Sequence, residues 1–104
     1  MTNRVLIATN SGAGNLVGPT AAERNEITLH LQRKGWQVWH WFEDLWLVTY
    51  PGEEMRLPLL RDELRALLGA KYVLIMSLND SPFYSGFGPQ AAWPWMTENW
   101  GKPL

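Results

Sequence analysis

Trp36-Gln37-Val38-Trp39-His40-Trp41-Phe42-Glu43-Asp44-Leu45-Trp46-Leu47-Val48 holds four of the chain's seven tryptophans. Read with the two-residue period of a strand, it is apolar on both parities. With a turn at Glu43-Asp44, Val38, Phe42, Leu45 and Leu47 fall on one face of a hairpin. Trp39, Trp41, Trp46 and Val48 then fall on the other. A sheet with one face in water alternates apolar and polar residues, because successive side chains point to opposite faces. This stretch does not alternate, so both faces of its sheet are expected to be covered.

Outward from the hairpin, the elements follow in a regular order. Arg4 to Thr9 is a β-branched and aliphatic run ending at the turn cluster after Asn10, and reads as a buried strand. Thr20-Ala21-Ala22-Glu23 has the spacing of a capping box. The helix behind it runs to Lys34 with Ile27 and Leu31 inward, and Gly35 stops it. Pro51-Gly52 breaks the hairpin. Pro58 suits the first turn of a second helix, whose stripe is Leu60, Leu64, Leu67 and Leu68 and whose wet side carries Arg61, Asp62, Glu63 and Arg65. Tyr72 to Leu78 reads as another fully apolar strand. The remainder, residues 79–104, is irregular and aromatic-rich, with one short helical piece around Pro94–Asn99.

The whole chain, 1–104, is expected to be one α+β domain in the order βαββαβ. That is the ferredoxin-like arrangement, a four-stranded antiparallel sheet with two helices on one face. The second face then needs a cover, supplied by another copy of the chain with help from the tail or by the tail alone. Each tryptophan removes roughly 200 Å² from water at ~25 cal/mol/Å², so the cover is worth several kcal/mol. A homodimer is the expectation, with Trp39, Trp41, Trp46, Val48, Trp93 and Trp95 in its interface.

Composition narrows the chemistry. The net charge is -1 and the nine Lys and Arg are scattered, without the basic run that tracks a phosphate backbone. Zero cysteines exclude disulfides, thiolate zinc sites and thiol catalysis. No segment approaches the ~20 apolar residues of a membrane span, and the start lacks the apolar run of a signal peptide. A cytoplasmic protein with no membrane association is expected.

Four pieces together resemble a known family. They are Gly35-Trp36 through Val48, Leu60-Arg61-Asp62-Glu63-Leu64, the strand Val73-Leu74-Ile75-Met76-Ser77-Leu78, and Ser85-Gly86-Phe87 before a tryptophan-containing terminal segment. From about Arg4 to Trp100 the chain resembles the SinR-like group of small bacterial proteins. That group is similar in fold to the small CRISPR-associated ferredoxin-like nuclease at the centre of the spacer-integration complex. The resemblance implies a homodimeric ferredoxin-like domain. The CRISPR-associated relatives are described as metal-dependent nucleases in some cases and scaffolds in others, with an aspartate at the end of the first strand as the metal ligand. Here that position is Asn10, and two neutral amides across a dimer axis are a poor Mg²⁺ site.

The other candidates each have a structural reading beside the chemical one. His40 near Glu43 and Asp44 has the composition of a base oriented by a carboxylate, but no Ser or Cys nucleophile accompanies it. Asn10, His40 and Asp44 are therefore the catalytic candidates, with the structural reading preferred. Ser11, Gly12, Gly14 and Gly18 after a strand invite a phosphate-loop reading, yet the pattern matches no phosphate motif and the helix cap at Thr20 lies well downstream. Trp39, Trp41 and Trp46 have the character of a base-stacking platform, without cations beside them. His30 reads as solvated, Ser85-Gly86-Phe87 as a turn with an apolar plug, and Arg61 and Arg65 as a wet helix face. No resident metal or cofactor is expected; Mg²⁺ enters only if the chain is a nuclease. The preferred function is a non-enzymatic homodimeric structural or interaction module. The alternative is a metal-dependent endonuclease on RNA or DNA, and the partners considered are a second copy, a nucleic acid or another protein.

Overall fold

Asn3, Val5 and Ile7 alternate as the buried positions of β1 (Thr2–Thr9), the run at the start of the chain. A computed structural model describes residues 2–10, 17–69 and 71–103. After β1 comes α1 (Ala21–Arg33), opened by the capping box: Glu23 N–H donates to Thr20 Oγ1 at 3.1 Å, and Thr20 N–H donates to Glu23 Oε1 at 2.9 Å. Gly35, at φ +80°, turns the chain out of the helix in a conformation that side chains with a Cβ resist. The hairpin follows as β2 (Gln37–Phe42) and β3 (Leu45–Pro51), then α2 (Leu57–Leu68) with a proline in its first turn, then β4 (Val73–Ser77).

β1 pairs antiparallel with β3 and with β4, and β2 pairs antiparallel with β3, giving one four-stranded sheet of order β2-β3-β1-β4. α1 contributes Ile27 and Leu31, and α2 contributes Leu60, Leu64 and Leu68. These enter one core with Val5, Ile7, Trp46, Val48 and Tyr50 of the sheet. Both long helices thus lie on the same face. The described residues hold three α-helices rather than two, because α3 (Ala92–Trp95) forms in the tail and runs directly into a π-helical turn, Met96–Trp100. The tail also forms a small parallel pair, β5 (Phe83–Tyr84) with β6 (Lys102–Pro103).

The hairpin's faces differ from the sequence reading, and the reason is a single residue. Val38 lies opposite Val48, Trp39 opposite Leu47 and His40 opposite Trp46, but Phe42 lies opposite Leu45. Trp41 is therefore the extra residue of a β-bulge. A one-residue slip moves every side chain beyond it to the other face. Trp46 and Val48 consequently lie under the helices at 0% exposure, not beside Trp39 and Trp41. The face opposite the helices holds Trp39, Trp41, Leu45 and Leu47 instead.

The tail lies on that second face. Trp93 packs edge-on to Trp41 with ring centroids 5.6 Å apart, and Trp95 lies 6.4 Å from Trp39. Tyr84 stacks on Trp93 at 6.3 Å. Arg4, which points to this face from the middle of β1, fastens the arrangement: its Nε donates to the Trp100 carbonyl at 2.5 Å and its Nη1 to the Asn79 carbonyl at 2.9 Å. A second tie is backbone on backbone. Lys102 N–H donates to the Pro82 carbonyl, and a Cβ on Gly101 would stand 1.9 Å from that same oxygen, so only glycine allows the approach. Phe87 is no plug. It is fully exposed.

Candidate functional site

Asn10, Asp44 and the start of α1 meet at the C-terminal end of β1. Asp44 sits in the hairpin turn, and its carbonyl accepts the Thr9 N–H at 2.9 Å. Its carboxylate accepts the Thr9 hydroxyl at 2.7 Å and the Arg24 guanidinium at 3.0 and 3.4 Å. Both charged side chains are only 16% exposed. One carboxylate thereby ties β1, α1 and the hairpin together, with little lone-pair capacity left for a cation. A charge-assisted pair this well enclosed fixes geometry more than it lends reactivity.

Asn10 is likewise occupied. Its amide donates to the Val17 carbonyl at 2.9 Å, and its Oδ1 accepts the Tyr72 N–H at 3.0 Å. The side chain pins the residue after the 11–16 segment to the end of β1 and to the approach of β4. The oxygen that a hard cation would need is already an acceptor. Ser11, Gly12 and Gly14 of the phosphate-loop candidate lie outside the described residues; Gly18 is half-buried in the coil before the Thr20 cap.

His40 stacks on Trp46 with ring centroids 4.3 Å apart and planes 6° apart, and its Nε2 lies 2.7 Å from the Glu43 carbonyl. A carbonyl can only accept, so Nε2 carries the proton and donates. The imidazole closes the bulged hairpin end across the strands. Neither Glu43 nor Asp44 presents a carboxylate to it among the hydrogen bonds of the described residues. His40, Asp44 and Asn10 are thus three separate ties.

The charged pairs elsewhere are also bridges between elements. His30, expected to be solvated, contacts Glu63 of α2 at 2.7 Å, and Lys34 reaches the same oxygen at 2.8 Å. Burial pushes the Glu63 carboxyl upward, but the Lys34 and His30 contacts outweigh it and hold it below its ordinary value. Glu23 is lowered by the Thr20 N–H of its capping box and by Lys71, whose ammonium lies 2.9 Å away. No group of three His, Cys, Asp or Glu among the described residues is placed to hold a metal ion.

Two of the concave surfaces among the described residues bear on the candidates. One, of about 350 Å³, lies between Trp41, Leu45, Leu47, Phe87, Trp93 and Met96. It has the size of a small-ligand site but presents indole edges already packed on each other, and no charged residue lines it. As a base-stacking platform it lacks the cations that follow a backbone. The other, bordered by Arg61, Arg65, Lys71 and Tyr72, is basic. Lys71 is committed to Glu23, and Arg61 lies 3.1 Å from Asp62.

Comparison of the chain with family models, curated proteins and solved structures finds no match. The site therefore rests on its own geometry. Sequence reading missed the Arg4–Asn79 latch, where Arg4 N–H donates to Asn79 Oδ1 at 2.6 Å and Asn79 in turn donates to the buried Asn3 at 3.2 Å. A lone arginine in an apolar strand was the available signal. None of the described helices is long and apolar enough to cross a membrane.

Proposed function

We propose that this chain is a non-catalytic, self-associating interaction module of the cytoplasm, with a ferredoxin-like fold resembling the SinR-like group. The βαββαβ order and the β2-β3-β1-β4 sheet support the fold assignment. The observation that carries the function is the fate of the polar candidates. Asn10, His40 and Asp44 use their hydrogen bonds to hold strands and turns, whereas several large apolar side chains stand exposed. Leu74, Met76, Phe42 and Phe87 are all exposed on or beside the second face. Leu74 and Met76 stand two residues apart on the same face of β4, and adjoining exposed apolar side chains are a mark of an interaction surface.

The test is incubation of the purified protein with labelled single- and double-stranded RNA and DNA in Mg²⁺ or Mn²⁺. The expected result is intact substrate at every metal concentration. Metal-dependent cutting that co-purifies with the chain and is lost in Asn10→Ala would replace this reading with the endonuclease one.

A further inference from the structure

The sheet has two edges, and they are built differently. At one, β2 carries the Trp41 bulge and has α3 of the tail packed beside it. Bulging and covering are ordinary protections of an edge strand. At the other, β4 has no bulge, and although α2 packs on its helix-side face, no strand among the described residues pairs along its outer edge. Val73-Leu74-Ile75-Met76-Ser77 contains no charge, proline or glycine, and its pairing with β1 is regular throughout. Leu74 is 58% exposed and Met76 46%.

Among the described residues, the backbone of β4 has no partner on its outer side. Leu78 N–H donates to the Arg4 carbonyl and Tyr72 N–H turns to Asn10, both toward β1. By the two-residue alternation of a strand, Leu74 and Met76 face β1 as well. The N–H and C=O groups of Val73, Ile75 and Ser77 therefore face outward. This set is self-complementary about Ile75. Antiparallel pairing with a second copy places Ile75 opposite the second copy's Ile75 and Val73 opposite its Ser77, as hydrogen-bonded pairs. Leu74 then lies opposite the second copy's Met76 as a non-hydrogen-bonded pair, the closer kind. The two exposed large apolar side chains of β4 then bury each other.

The charges beside the edge agree with that register. Arg61 and Arg65 border the groove at Tyr72–Ile75, whereas Glu54 accepts the Ser77 hydroxyl at 3.1 Å at the other end of the strand. An antiparallel two-fold sets the basic end of each copy against the acidic end of the other. The geometry points to β4 as the contact through which two copies join, edge to edge, into one continuous eight-stranded sheet. This rests on the self-association proposed above and names its surface, at the strand edge, not the tryptophan face.

The chain has no cysteine, so introduced thiols report contacts cleanly. Leu74→Cys protein mixed with Met76→Cys protein under mild oxidation is expected to give the mixed disulfide in excess over both like-with-like products, since only that pair sits at bonding distance. Sedimentation of the unmodified protein is expected to give twice the chain mass, and Met76→Lys to halve it with an unchanged circular dichroism spectrum. A doubled mass that survives Met76→Lys, without preference for the mixed disulfide, overturns edge pairing while leaving self-association standing. A single-chain mass for the unmodified protein up to high micromolar concentration overturns both.

Discussion

Under the helices, Trp46 is fully enclosed and its indole N–H donates to Thr28 Oγ1 at 2.9 Å. Across the sheet, Trp39 is drawn inward too, but its indole N–H finds no acceptor among the described residues. A buried donor without a partner costs about 1–3 kcal/mol. The helix face is a closed core in which apolar burial and polar satisfaction coincide. The tail face is a flap in which Trp93 and Trp95 are half-buried and Ala92, Met96 and Trp100 are buried, held down by Arg4 and by the Gly101–Pro82 approach.

Truncation should expose that contrast most strongly. Trp46→Ala removes a completely buried ring from the helix-side core and is expected to cost about 3–5 kcal/mol, whereas Trp93→Ala, from a half-buried position, should cost about half as much. Urea denaturation of both variants measures the difference. Equal losses would mean that the tail is as integral to the core as the helices are.

The latch gives the next largest effect. Arg4→Met keeps the aliphatic stem but loses donation to two tail carbonyls. About 1.5–3 kcal/mol is expected for hydrogen bonds made by a charged group. The loss should be local, appearing as faster amide exchange in residues 92–103 with the β1 and β3 amides unchanged. Uniform acceleration throughout the sheet would contradict the flap description.

The smallest effect lies on the helix side. Glu63 titrates below its ordinary value of 4.5 when folded, so the stability it contributes is present above that pH and lost as pH falls through the lowered value. Its side chain is 31% exposed, so the contribution is about 0.5 kcal/mol. Glu63→Gln should flatten the acid limb of the pH–stability curve by that amount. A larger effect would mark α1–α2 bridging as more than a surface pair.

The long elements were readable in the sequence because their signals are local. The capping box at Thr20, the Leu60–Leu64–Leu68 stripe and the glycine stop at Gly35 act within a few residues of themselves. The faces of the hairpin were not readable, because a bulge at Trp41 inserts one residue without any distinctive side chain to announce it. The absence of alternation pointed to a cover on the second face, and the tail supplies one over Trp39 and Trp41, while Leu74 and Met76 stay exposed. Which element covers the second face was not readable, since Arg4, Asn79 and Trp100 are brought together only by the finished topology. The candidates Asn10, His40 and Asp44 were visible as polar residues at turns. Only the partners they hold distinguish ties from catalysts.

Amide hydrogen exchange on β4 tests most directly the claim that this chain completes itself with its tail on one edge and with a second copy on the other. At high protein concentration the outward amides of Val73, Ile75 and Ser77 should exchange as slowly as those of Leu74 and Met76, and should speed up on dilution or in Met76→Lys. If those three amides exchange rapidly at every concentration, β4 is an open edge in solution and the account fails.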